Sequence, residues 1–115
     1  MSLLMSDSPP FDPQALEKIA SFFKVFAEPT RLAILQRLRG GRASVNEIVS
    51  ALPTSQANVS KQLRILYDAD LLSREQVGNQ VFYSIGEPMV FDLCDLVCGK
   101  LNRQAKTEGE ASYQI

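Results

Sequence analysis

The chain has 115 residues, 45% of them hydrophobic and 22% charged, which is typical of one globular domain and excludes wholesale disorder. No apolar run approaches the ~18 residues that a membrane span needs, and the start MSLLMSDSPP lacks the pattern of a signal peptide. Two cysteines without an export signal predict reduced thiols and a cytoplasmic protein.

The net charge of −1 argues mildly against a nucleic-acid partner, but the distribution of charge points the other way. Between residues 28 and 84 the chain has seven basic and five acidic residues, whereas acidic residues outnumber basic ones on both sides of this span. A basic middle between acidic flanks fits a middle that faces DNA, although the bias is small.

The N-terminal residues 1–11 contain Pro9-Pro10, and we expect them to be mobile. Asp12 followed by Pro13 is typical of a helix start, and this first helix is predicted to end near Ala27. Its apolar stripe is larger than a lone surface helix needs, so part of it is expected to meet a second chain. The stripe consists of Leu16, Ile19, Ala20, Phe23 and Phe26.

Two further helices are predicted from their end signals. Glu28-Pro29 begins the second helix, and Gly40-Gly41 ends it. Ser44 and Glu47 have the spacing of a capping box, which opens a short third helix ending near Leu52. The expected core residues of these helices are Leu32, Ile34, Leu35, Leu38, Val45, Ile48, Val49 and Leu52.

A fourth helix over Pro53–Leu66 is the candidate for reading DNA. Thr54 or Ser55 can cap it, and Val59, Leu63 and Leu66 recur on one buried face. Every residue of the opposite face can hydrogen-bond to a base edge or a phosphate, and none is acidic. That face carries Ser55, Gln56, Asn58, Ser60, Lys61, Gln62 and Arg64. The alternative is an ordinary amphipathic helix with a solvated face.

The third and fourth helices, joined by the Pro53 turn, form a predicted helix-turn-helix. After Asp70 the hydrophobic period changes from 3.6 to 2, which predicts strands over 72–77 and 80–85 joined by a Gly78-Asn79 turn. A hairpin in this position is a wing whose polar tip can approach DNA. Its candidate contacts are Arg74, Gln76, Asn79 and Gln80.

Glu87-Pro88 begins the last helix, which is predicted to reach about Arg103 and to be followed by a frayed tail over 104–115. This helix is apolar over more than half its circumference, which usually indicates a partner. We therefore expect it to form a homodimer interface with the first helix. The predicted interface residues are Leu16, Ile19, Phe23, Val90, Cys94, Val97, Cys98 and Leu101.

The order α-α-α-α-β-β-α, mainly α with a small β-hairpin, resembles the ArsR family of bacterial winged-helix repressors. The motifs that carry the resemblance are FAEPTRLAILQRL (26–38), SVNEIVSAL (44–52), SQANVSKQLRIL (55–66), DADLL (68–72) and GNQVFYSI (78–85). The resemblance covers residues 12–103 and implies a dimeric repressor that leaves its operator when an inducer binds. Two positions depart from the family pattern. Gln62 stands where the family often has His, and Asp70 stands where a left-handed Gly is usual.

The inducer is the least determined part of this resemblance. Metal-sensing members carry Cys in the third helix or Asp, His and Glu on the last one, but residues 42–48 lack Cys and the chain has no His. Cys94 and Cys98 remain, one helical turn apart on the face expected to meet its twin. They could bind a soft ion such as As(III), Cd(II) or Cu(I), form a disulfide or polysulfide bridge, or pack as small hydrophobic side chains.

Two other classes of function can be weighed against a DNA-binding repressor that needs no cofactor beyond such an ion. A winged-helix module that binds only protein is the main alternative, although the polar reading face disfavours it. An enzyme is not expected, because the chain lacks a histidine base and a glycine-rich phosphate loop.

Overall fold

The computed structural model describes residues 11–108 and 112–115, and within them it confirms a winged helix-turn-helix. No helix in the described part of the chain is long and apolar enough to span a membrane. The elements are α1 (Pro13–Val25), α2 (Pro29–Arg39), β1 (Ala43–Ser44), α3 (Val45–Ala51), α4 (Gln56–Asp68), β2 (Leu72–Val77), β3 (Gln80–Ile85) and α5 (Met89–Glu108).

Side-chain caps fix where four helices begin, as their sequences predict. Asp12 accepts hydrogen bonds from backbone N–H groups of the first turn of α1, and Glu28 does so for α2. Ser44 and Glu47 form the reciprocal capping box of α3. Ser55 Oγ accepts from the third residue of α4 at 3.1 Å. Each bond satisfies a backbone donor that has no partner within its own helix.

The core lies between α2, α3, α4 and the sheet, and α5 covers one side of it. The fully buried large side chains come from all of these elements or their junctions. They are Ile34, Leu35, Ile48, Val59, Leu63, Leu66, Leu71 and Val90. Burial of apolar side chains is the dominant force that holds the helix-turn-helix against the wing.

The wing has the predicted strands and register. Leu72 pairs with Ile85 and Val77 with Gln80, and Gly78 at the turn has φ +64°. The short strand β1 was not expected. It pairs with β3 to give the order β1-β3-β2, and its two residues are too few to show an alternating pattern.

Asp70 has a left-handed backbone, with φ +61°, as the departure from glycine predicts. It closes α4 in a Schellman arrangement, in which Asp70 N donates to Tyr67 O at 2.9 Å and Leu71 N donates to Leu66 O at 3.2 Å. The sharp turn directs the chain from α4 into β2.

The predicted frayed tail requires a correction. The last helix does not end near Arg103 but continues to Glu108, and Ala105 is buried. Residues 112–115 lie against the body of the protein: Gln36 Nε2 donates to Gln114 O at 2.9 Å, and Ile115 packs on the core. These are contacts between distant parts of the chain, which local composition does not predict. The predicted mobile segment 1–11 lies, except for Phe11, outside the described residues, as do residues 109–111.

Replacing Gly86 by Ala is expected to lower the free energy of unfolding by about 1–3 kcal/mol, as overpacking of a tight contact does. A Cβ at this position would lie 2.3 Å from Ser73 Oγ and 3.1 Å from Ser73 N. Urea unfolding followed by circular dichroism measures the change. Gly40→Ala is the matched control, because its Cβ would lie no closer than 3.6 Å to a neighbour. Equal midpoints for the Gly86 variant and the parent would contradict this close approach.

Candidate nucleic-acid interface

The outward surface of α4 is a continuous polar stripe. Val59, Leu63 and Leu66 hold the helix in the core. The residues that point away from the core are all exposed and, apart from one alanine, all able to hydrogen-bond. The α4 stripe consists of Ser55, Gln56, Ala57, Ser60, Lys61 and Arg64. Five of the seven residues predicted for the reading face lie here.

A cleft of about 210 Å³ joins the start of α4 to the tip of the wing. Gln56 lines one side, and Asn79 and Gln80 line the other. The structure thus brings together three residues that the sequence assigns to two separate elements. It adds Asn46, which the sequence analysis missed. Asn46 follows the capping serine of α3 by two residues, and no pattern in the sequence brings it to the cleft.

The prediction that Gln62 lies on the outward face is wrong. Gln62 is only 6% exposed, and both polar atoms of its amide form hydrogen bonds within the protein. Its Oε1 accepts from Arg31 Nη1 at 2.6 Å, and its Nε2 donates to Asn58 Oδ1 at 3.0 Å. A seven-residue polar face spans too wide an arc of the helix, so its edge turns toward α2.

Asn58 is half-buried on the same flank of α4. Its Nδ2 donates to Thr54 Oγ1 at 3.1 Å while its Oδ1 accepts from Gln62. Both polar atoms of the Asn58 side chain therefore already have a protein partner. Asn58 is less available to DNA than the sequence alone indicates.

Arg64 and Arg74, which the sequence predicts to contact DNA, differ in how strongly other groups of the protein hold their guanidinium groups. Arg64 Nε lies 3.1 Å from Asp68 Oδ2 in an exposed pair, and such pairs contribute only ~0–1 kcal/mol. Arg74 stacks on Tyr67, with its Cζ 4.0 Å from the ring centroid. A hydrogen bond to Tyr83 is the main cause that raises the pKa of Arg74. Arg74 pairs across the middle of the hairpin, not at its tip, so it braces the wing.

The wing tip itself is uncharged and, apart from the exposed Val77, polar. Gln76 Nε2 donates to Gly78 O at 3.3 Å, which steadies the turn between the strands. Asn79 and Gln80 are exposed beyond it. Behind the tip, Arg42 stacks over the Phe82 ring at 4.5 Å and pairs with Glu75 at 3.0 Å. These contacts tie β1 to the hairpin.

A second exposed surface is apolar and lies on α1 and α5. Phe23 is 59% exposed and Leu96 is 72% exposed, and Phe23 lines the same cavity as Val97 of α5. We call this surface the α1/α5 face. It consists of Leu16, Ile19, Phe22, Phe23, Leu96, Val97 and Leu101.

Three residues predicted for the dimer interface are already buried within the single chain. Val90 is 1% exposed, Cys94 4% and Cys98 8%, and the first two belong to the chain's own core. The apolar surface of α5 is so wide that its pattern alone does not show which half meets the core. The half that faces outward is the one with Leu96, Val97 and Leu101.

The two thiols are free and buried. Cys94 lines an apolar cavity of about 200 Å³ with Phe23, Leu32 and Ile115. Burial is the main cause that raises the pKa of Cys94. The neighbouring Cys98 adds to the rise, and Arg39 opposes it. Among the described residues no group of three or more His, Cys, Asp or Glu side chains is placed to hold a metal ion.

Comparison with known proteins agrees with this arrangement. A helix-turn-helix domain family matches residues 26–75. The HTH-type transcriptional regulator NmtR of Mycobacterium tuberculosis is 36% identical over 76% of this chain and 73% of its own length. A "Probable mercury resistance operon repressor" of Streptomyces lividans is 39% identical over 64% of this chain and 59% of its own length. The chain therefore spans less than two thirds of that second relative.

The fold extends the likeness over nearly the whole chain. The crystal structure of M. tuberculosis Rv0081 superposes with a TM-score of 0.76 at 30% sequence identity, covering 88% of this chain and 98% of Rv0081. The shared fold, the helix-turn-helix match and the identity with NmtR agree with one another. The chain belongs to the ArsR family of winged helix-turn-helix, DNA-binding transcriptional regulators.

Proposed function

We propose that the protein is a homodimeric repressor that reads an operator through the α4 stripe and the wing tip. The observation that carries this proposal is the exposed stripe, free of acidic groups from Ser55 to Arg64, which shares a cleft with Asn79 and Gln80. A helix of this size fits the major groove, and the small polar wing tip can reach an adjacent groove or a phosphate.

The side chains of the stripe divide by chemistry. Lys61 and Arg64 are cations suited to phosphates, which give affinity without sequence information. Gln56 carries a free amide that can make two hydrogen bonds to an adenine edge, and Ala57 offers a methyl group to thymine. Gln62 has no part in this reading surface, because its amide is occupied within the protein.

The α1/α5 face supports a dimer. It exposes aromatic and aliphatic side chains from two helices, and exposed apolar surface of this kind marks an association surface. A two-fold axis through it would present two α4 stripes to one side. Their expected separation is one duplex turn, about 34 Å.

Replacing Lys61 or Arg64 by Ala is expected to weaken binding to every duplex and to reduce the slope of log K against log salt by about one unit, because each change removes a phosphate contact. Gln56→Ala is expected instead to relax the preference among operator sequences, by roughly 1–3 kcal/mol at one base pair. Fluorescence anisotropy over a salt series, with a palindromic operator, measures both quantities and the ratio of chains to duplex.

Lys18→Ala is the matched control, since it removes the same charge from α1. Its affinity and salt slope are expected to equal those of the parent. Parent-like binding by the Lys61 and Arg64 variants would show that α4 does not face DNA. A folded parent without salt-dependent duplex binding would favour the protein-interaction module.

A soft, thiol-binding ion is our candidate for the inducer. The S. lividans relative is named for mercury resistance, and Hg(II) prefers thiolate ligands. Cys94 and Cys98 supply two thiols one turn apart, which fits a two-coordinate soft ion in donor type and number. They do not supply a three-sulfur site from one chain. Both thiols are buried within the single chain, so they do not belong to the exposed α1/α5 face that the sequence analysis expected to meet its twin.

Mercuric chloride is expected to release operator DNA from the parent at about one equivalent per chain and to leave the Cys94→Ser/Cys98→Ser variant bound. Since burial raises the pKa of Cys94, thiolate is scarce near neutral pH, and release is expected to become faster as pH rises toward 9. Anisotropy at fixed salt measures release. A parallel titration with polysulfide distinguishes ion binding from thiol oxidation, and release that persists in the double variant would leave both cysteines a structural role.

A further inference from the structure

The guanidinium of Arg31 joins three helices. Arg31 lies on α2, and its Nε donates to Val25 O at 2.7 Å and its Nη2 to Lys24 O at 3.0 Å, both at the end of α1. Its Nη1 donates to Gln62 Oε1 on α4 at 2.6 Å. The planar fork of arginine can hold such divergent acceptors at once, whereas the point charge of lysine cannot.

The same chain of hydrogen bonds continues along α4. Gln62 Nε2 donates to Asn58 Oδ1, and Asn58 Nδ2 donates to Thr54 Oγ1. Thr54 immediately precedes Ser55, the N-cap of α4. The network therefore runs from the end of α1 to the start of the α4 stripe, through side chains that are buried or half-buried.

The network matters because the other contacts that hold α1 to the core are those of Val25 and Phe26 at its C-terminal end. None of the residues of α1 is fully buried in the single chain, and its apolar residues contribute to the exposed α1/α5 face. Arg31 donates hydrogen bonds to two carbonyl groups at the C-terminal end of α1. This end of the helix also carries the negative end of the helix dipole. A shift of α1 would either break these hydrogen bonds or move Arg31 with it. In the second case Gln62 and Asn58 would also be displaced.

We infer that Arg31 is a positioning residue: it couples α1, and through α1 the pairing of subunits, to the rotation of α4 about its own axis. Gln62 and Asn58 are internal struts of this coupling and not readers of bases. The inference rests on the proposed DNA-binding function and deepens it. It gives the family's reading helix a mechanical link to the subunit interface, made by three side chains of this sequence.

The test is a double-mutant cycle between Arg31→Lys and Gln62→Met, with operator affinity measured at several salt concentrations. Gln62→Met removes the shared hydrogen bond at nearly constant side-chain size, and Arg31→Lys removes the guanidinium fork that serves three acceptors at once. Each is expected to weaken operator binding roughly tenfold, and the double variant no more than either alone, because all three changes break one network. The salt slope and the preference at every base pair are expected to stay those of the parent.

Arg37→Lys, the same change on the same helix, is the control and is expected to bind as the parent does. Thermal melts confirm that each variant is folded at the assay temperature. The side-chain amide signals of Gln62 and Asn58, followed by NMR without DNA, are expected to shift in the Arg31 variant even if affinity is too weak to measure.

The results separate the two proposals. A parent that binds no duplex overturns the DNA-binding function itself. A parent that binds, with additive losses in the double variant or with unchanged Gln62 and Asn58 signals, overturns the coupling alone. A change of preference at one base pair in the Gln62 variant would return Gln62 to the reading surface.

Discussion

The position of α4 depends on two kinds of contact that act differently. Val59, Leu63 and Leu66 are buried, and their burial sets how deeply the helix sits in the domain. Burial of apolar surface is not directional, so it leaves the helix some freedom to rotate about its axis. The hydrogen bond from Arg31 Nη1 to Gln62 Oε1 is directional, and it ties one flank of α4 to α2, which removes that freedom. The direction in which Gln56, Lys61 and Arg64 point follows from both.

Features encoded by short stretches of sequence could be predicted closely. The capping residues Asp12, Glu28 and Ser44 act on their own helices, so their effect is visible without any knowledge of the fold. The same holds for the hairpin register, which follows from the two-residue turn at Gly78. The place of Gln62 is different, since it depends on Arg31, which lies 31 positions away in the chain. A helical pattern gives the faces of a helix but not the neighbour that each face meets.

The last helix shows the same limit of prediction from sequence over a longer stretch of the chain. Its apolar residues predict burial, and they are divided between the core, which takes Val90 and Cys94, and the α1/α5 face, which takes Leu96 and Val97. The packing of α5 on the rest of the domain determines which of its apolar residues are buried. The spacing of these residues along the helix does not predict it. The stretch 112–115 returns to cover this region because Gln36 and Asn102 bind its backbone. Access to the thiols is therefore controlled by packing around them, in addition to their own chemistry.

The small net charge of the protein affects how a repressor of this kind would dissociate from DNA. Lys61 and Arg64 are the only cations of the described α4 stripe, and Arg64 shares its charge with Asp68. Few phosphate contacts per subunit mean weak binding to unrelated duplexes at physiological salt. In the proposed dimer, tight binding requires that both stripes meet DNA together, since the second contact gains from the effective concentration that the first provides. A small rotation of one α4 would forfeit that gain without unfolding either subunit. A network that fixes this rotation from the side of α1 is placed where a small change at the subunit interface has the largest effect on affinity.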